Sequence, residues 1–249
     1  MVQEEKVSAI DRAAPVILVV GAVLSAIGFV LSFTVAPLVH GAEVVPELVA
    51  GEMVSNQLLF SQKIFYFHMP VAMTSFIALV FTAVYGIRYL RTKDDRYDRR
   101  ACIATEVALV FIVATMCTGV PWTRFEWGVW WTWEPRLTTY LILMLLAIGY
   151  FVLRAAFDGN EKKGTYAAVF GLIVFIDAPI CFMMTRIIPS STHPVIFRTD
   201  SGLSPDMLVG LIFAMIGILM IAYGLYRVRL RQVETAARIE ELKQAIEQD

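Results

Sequence analysis

Five tryptophans fall within twelve residues of this chain, Trp122, Trp127, Trp130, Trp131 and Trp133, and they are all the tryptophans it has. The same stretch carries Arg124, Glu134 and Arg136. Indoles offer wide flat contact area at little cost in conformational entropy, and an arginine fork pairs well with a carboxylate. If the stretch is helical, Trp127, Trp130, Trp131 and Glu134 share one face at i, i+3, i+4 and i+7. That face suits a large planar apolar ligand with acidic groups, each met by Arg124 or Arg136. Pro135 fits the first position of a helix with Glu134 as its cap. A plainer account is an aromatic belt at the membrane interface, but belts spread over many helix ends and this cluster is one segment.

Haem is a ligand of that description, and its iron commonly takes axial histidine. The chain has three histidines, His40, His68 and His193. His68 precedes Met69-Pro70, and His193 stands in Ser190-Ser-Thr-His-Pro194. Both are read as axial ligands to haem iron; the plainer alternative is a pair of interfacial histidines bonded to backbone or water. His40, in a segment with Glu43, Glu47 and Glu52, is read as structural. Zinc is a weaker alternative, since the spacing matches no zinc signature and leaves the tryptophans unexplained. Cys102, Cys117 and Cys181 form neither CxxC nor CxxCH, so there is no disulfide framework, thiolate site or covalent haem attachment.

These residues need elements to hold them. Of 249 residues, 58% are hydrophobic and 17% charged, well away from soluble composition. The apolar residues fall in six runs long enough to cross a bilayer, approximately 15–38, 69–90, 101–120, 137–153, 164–187 and 205–226. The expected fold is all-α: a polytopic membrane protein of six transmembrane helices in one integral membrane domain, 1–249. Lys and Arg cluster at the N-terminus, between spans two and three, between four and five, and after span six. The opposite side has only Lys63, Arg124, Arg136, Arg186 and Arg198. The positive-inside rule therefore places both termini in the cytoplasm and the histidines and tryptophans outside. The outward tryptophan-rich loop is then 121–136 and a cytoplasmic helical tail 227–249. A net charge of −1 argues against a nucleic-acid partner, leaving membrane lipid as the surroundings. Glu106 is expected to reach Arg99, Arg100 or water, and Asp177, inside span five, is either structural or faces a cavity. Apolar pairs between Glu43 and Lys63 suggest a helix lying on the membrane surface.

The string Trp127-Gly-Val-Trp-Trp-Thr-Trp-Glu-Pro-Arg-Leu-Thr138 resembles the tryptophan-rich signature of the cytochrome c assembly, haem-handling superfamily. The Arg-Leu-Thr ending and the six spans resemble its cytochrome c maturation protein C (haem exporter protein C) branch, of the system I pathway. Glu134 stands where that family usually has aspartate, and Pro135 where this branch more often has a small residue. The resemblance implies that His68 and His193 ligate haem from both sides. It also implies that Trp127, Trp130, Trp131, Trp133, Glu134 and Arg136, with Trp122 and Arg124, form the haem-binding surface. It further implies haem b held transiently and non-covalently at the periplasmic face of the bacterial inner membrane, and passed to a periplasmic haem chaperone. The implied partners are ABC transporter subunits and a small membrane subunit, and the role is haem transfer rather than catalysis. Two alternatives stay open from the residues: a cytochrome b type electron-transfer subunit, and a non-haem scaffold or permease subunit.

Overall fold

All six apolar runs become helices in the computed structural model, which describes residues 9–37, 48–49, 52–53, 62–188 and 203–247. They are α1 (Ala9–Thr34), α2 (Phe65–Thr92), α3 (Asp95–Trp127), α4 (Pro135–Ala156), α5 (Lys163–Ile187) and α6 (Pro205–Glu247). Each is long and apolar enough to cross a membrane, which fits the all-α, six-span expectation. Between α1 and α2 the expected surface helix is replaced, where the chain is described, by a small antiparallel pair. Leu48–Val49 (β1) runs against Glu52–Met53 (β2), with Leu48 opposite Met53. Valine pairs and Gly51 have weak helical propensity, so the apolar spacing there did not amount to a helix. Gln62–Ile64 then forms a short 3-10 turn leading into α2, and residues 38–47, 50–51 and 54–61, His40 included, lie outside the described residues.

Local chemistry sets most helix ends. Lys93 closes α2 in the left-handed conformation, at φ 56°, and its N–H donates to the Tyr89 carbonyl. The Asp94 side chain then accepts from Arg96 N–H at 2.9 Å and caps α3. Glu134 caps α4 by accepting from Leu137 N–H at 3.0 Å, with Pro135 in the first turn, where its missing donor costs nothing.

Helices α2 to α5 bury the main core, with Leu79, Ala108, Ile112, Leu143, Ala147 and Val174 fully enclosed. The polar groups of this core pair across helices: Ser75 Oγ with Tyr140 OH at 3.2 Å, and Thr82 Oγ1 with Thr105 Oγ1 at 3.1 Å. Helix α1 packs by a different device, backbone against backbone along α6. A Cβ on Gly28 would lie 2.5 Å from Ala214 N, and one on Gly217 2.5 Å from Ser25 N. Small residues let apolar helices approach this closely inside lipid, where no hydrophobic force draws them together. The opposite face of α1, with Val16, Val23, Ile27 and Val30, is exposed.

A second, smaller cluster ties α1, α2 and α6 together at one end of the bundle: Ala36, Phe65, Tyr66, Met69, Met207 and Leu211, with Trp122 against it. Lys63, expected among the outward cations, is buried here at 6% exposure. Its Nζ donates to the Ser32 and Ala36 carbonyls at 2.7 and 2.6 Å, satisfying the C-terminal end of α1. The opposite end is closed by ion pairs. Arg154 makes a bidentate pair with Asp98 at 2.7 and 2.9 Å, and Arg229 pairs with Glu106 at 2.6 Å. Arg227 pairs with Asp11. Glu106 thus finds its partner on α6 rather than in Arg99 or Arg100, a contact that chain distance gave no reason to expect. Helix α6 runs on without a break to Glu247, and its last turns are exposed.

Candidate functional site

The end of the bundle opposite the ion pairs gathers His68, Trp122, the tryptophan stretch and Arg136. His68 lies in the opening turns of α2 and is half-buried against α3. Its Nδ1 is 2.9 Å from Thr118 Oγ1. Its ring meets the Trp122 indole edge to face, with centroids 5.5 Å apart and planes at 71°. Gly119 lies directly beneath the imidazole, where an added Cβ would stand 2.9 Å from Cε1. Trp122 is itself held, since Nε1 donates to Glu126 Oε1 at 3.0 Å, one turn on. Thr118, Gly119 and Trp122 were not all expected here; a helix-interior Thr-Gly pair one turn before a tryptophan is the one signal the sequence offered.

The expected helical ridge of Trp127, Trp130, Trp131 and Glu134 does not form. Helix α3 passes through Pro121 and ends at Trp127, so half of the expected loop is helix and the other half is irregular. Gly128, at φ 73°, takes the left-handed position that ends helices, and its N–H donates to the Arg124 carbonyl at 3.2 Å. Pro135 in turn keeps Glu134 extended, at φ −68° and ψ 152°. Between these two stops Trp130 and Trp133 are exposed, at 62% and 76%. Trp131 is half-buried and meets Trp133 edge to face, with centroids 5.8 Å apart. The buried Trp131 Nε1 has no hydrogen-bond partner among the described residues. The tryptophans therefore make a ledge by loop geometry rather than by helical periodicity.

The two arginines divide. The Arg124 guanidinium turns back to the Gly128 carbonyl and serves the end of α3. Arg136, in the first turn of α4, takes no side-chain hydrogen bond or salt bridge among the described residues; its carbonyl faces Cys181 Sγ at 3.9 Å. Asp177 is half-buried on α5, one turn from Cys181, and its Oδ2 has no hydrogen-bond partner among the described residues. His193 and Arg198 lie outside the described residues. Among the described residues, an indole N–H with no acceptor, exposed indole faces and an arginine that makes no salt bridge form a donor set that fits a flat ligand carrying carboxylates. One imidazole beside them fits a metal at that ligand's centre.

Six apolar helices with an aromatic ledge, a histidine and an arginine at one end define a polytopic membrane protein with a candidate ligand surface at its rim. The chain belongs to the "Heme exporter protein C" family, whose profile matches residues 3–245. It is 27% identical over 173 residues to the Heme exporter protein C of Escherichia coli strain K12, covering 70% of each chain. To the Heme exporter protein C of Rhodobacter capsulatus it is 30% identical over 111 residues, 45% of this chain and 46% of that one. A cytochrome c biosynthesis ccmC-like mitochondrial protein of Arabidopsis thaliana is 32% identical over 120 residues, 48% of this chain and 44% of its own.

Proposed function

We propose that this protein binds haem at the outer face of a bacterial inner membrane and passes it on during maturation of c-type cytochromes. The observation that carries the proposal is the exposed Trp130 and Trp133 ledge, with an Arg136 side chain that makes no salt bridge among the described residues, at the bundle end that holds His68. Family membership supports it, since the relatives bear the names of haem exporters and cytochrome c biosynthesis proteins.

In this reading His68 and His193 supply the axial nitrogens, Trp130, Trp131 and Trp133 cover a face or edge of the macrocycle, and Arg136 meets a propionate. Trp122 backs the His68 ring, Trp127 and Glu134 bound the ledge, and Arg124 keeps the helix end in place. When bound, haem supplies an iron for axial ligation and two carboxylates for arginine. Axial bonds and a ledge at the rim release haem b more readily than an enclosed pocket does, which suits transient, non-covalent holding. The receiver is a periplasmic haem chaperone, and the neighbours are ABC transporter subunits and a small membrane subunit. Both termini face the cytoplasm, a reading the distribution of Lys and Arg supports, with the 227–249 tail on that side and a single integral membrane domain around it. The role is transfer rather than catalysis. An electron-transfer cytochrome b would place its histidines deep within the spans, whereas His68 lies in the opening turns of α2.

Optical spectra of the protein purified in mild detergent, beside His68→Ala and His193→Ala, test the proposal. The expected result is a low-spin bis-histidine spectrum in the parent, lost or turned high-spin in each variant. A parent that takes up no haem when haem is supplied overturns it in favour of a scaffold.

A further inference from the structure

We infer that Thr118 and Gly119 are positioning residues for His68: the Thr118 hydroxyl holds the imidazole proton on Nδ1, so that Nε2 is presented as the metal-binding nitrogen, and Gly119 supplies the clearance the ring needs. The inference rests on the proposed haem site and specifies which atom of His68 serves it.

A neutral imidazole has one N–H and one lone pair, and whatever Nδ1 faces decides which nitrogen has which. Nδ1 faces Thr118 Oγ1 at 2.9 Å. A hydroxyl has a single proton to give, and that of Thr118 is already directed into its own helix. Oγ1 lies 3.0 Å from both the Ala114 and the Thr115 carbonyls. With its proton given to the backbone, Oγ1 can only accept from the ring. Nδ1 is therefore the donor, and the lone pair sits on Nε2.

Two consecutive turns of α3 frame the ring. Thr118 takes Nδ1, Trp122 packs against the ring, and Gly119 leaves the space under Cε1 empty of side chain. Any Cβ at 119 would stand 2.9 Å from Cε1 and push the imidazole off Thr118. Histidines that ligate metals generally donate their other N–H to such an outer partner, which fixes the ring's tautomer and direction. A neutral hydroxyl raises the basicity of Nε2 less than a carboxylate in its place, so the axial bond stays modest, in keeping with a site that must let its haem go.

The test reads the proton directly and needs no haem. The full-length haem-free protein in detergent micelles, labelled with 15N at its three histidines, reports each ring nitrogen as protonated or bare, and His68→Ala assigns the signal. The expected spectrum shows His68 protonated at Nδ1. Thr118→Val, which keeps the side-chain shape, is expected to abolish that preference, and Thr118→Ser to restore it. A proton on Nε2 in the parent, or an unchanged tautomer in Thr118→Val, overturns the inference. Haem titration of the same samples separates the two readings. Thr118→Val is expected to lower affinity about tenfold, the low end for loss of an outer partner of a metal ligand. The Nδ1 tautomer with no haem uptake by the parent leaves Thr118 as the partner of His68 and removes the haem site.

Discussion

The two ends of this helical bundle handle charge in opposite ways. At the end with the chain's basic clusters, the half-buried charges close on one another: Arg154 with Asp98, Arg227 with Asp11, Arg229 with Glu106. At the other end Arg136 makes no salt bridge among the described residues, the Trp131 indole N–H is buried with no acceptor among them, and two tryptophans stand in the open. An unmet polar group costs stability, so a group left unmet at the rim is a candidate for an outside partner. Under the proposed function, the difference separates what holds the bundle from what the bundle holds.

Substitutions at each end sharpen that contrast. The largest effect is expected at the paired end. Arg154→Ala leaves Asp98 uncompensated at a site only 17% exposed and costs about 3 kcal/mol, read from unfolding in detergent. Haem affinity of the folded fraction stays the same, and Asp98→Asn added to Arg154→Ala recovers much of the loss; a fall in affinity would break the comparison. At the open end the signs reverse. Arg136→Gln is expected to leave stability within about 0.5 kcal/mol and to weaken haem binding by about tenfold, the cost of one charged hydrogen bond. Trp133→Ala, at a side chain 76% exposed, should likewise spare stability and weaken haem binding by a factor of roughly two to ten. A Trp133→Ala protein that unfolds more readily would show that the ledge is packing after all.

The smallest effect concerns the cap of α3. The Arg96 guanidinium beside Asp94 holds that carboxyl below its usual range. A carboxyl with a lowered pKa in the folded state contributes stability above the unfolded value and loses it as pH falls through the folded one. Hydrogen exchange of the Arg96 amide is expected to stay slow through the pH range where free aspartate protonates, about 3.9, and to quicken only below it. Quickening at higher pH would show the cap to be dispensable.

What was legible in the residues was local. Six apolar runs read as six helices because some 20 mostly uncharged residues need no distant partner to declare a span. Glu134-Pro135 read as a helix start because cap and proline sit side by side. The tryptophan ledge was legible as a cluster but not as a shape. Helical spacing alone carried the ridge, while Gly128 had already marked the end of α3. Three features depended on which helices become neighbours, and no pattern within one helix reports that. Lys63 turns inward to the end of α1, Glu106 finds Arg229 across 123 positions, and Thr118 faces His68 across 50. The glycine seam of α1 and α6 belongs with them, since Gly28 and Gly217 acquire meaning only when set against each other.

Helix α6 has 43 residues and so extends about 64 Å, more than twice the hydrocarbon thickness. Near one end its Met207 and Leu211 press into the cluster beneath Trp122; farther along, Arg227 and Arg229 grip α1 and α3, and beyond them the rod stands clear of the bundle. Such a rod is a lever with its fulcrum at the ion pairs and its long arm inside the membrane. A tilt of one degree about that point would sweep the far end, at the cluster that carries Trp122, by roughly 0.5 Å over some 20 residues.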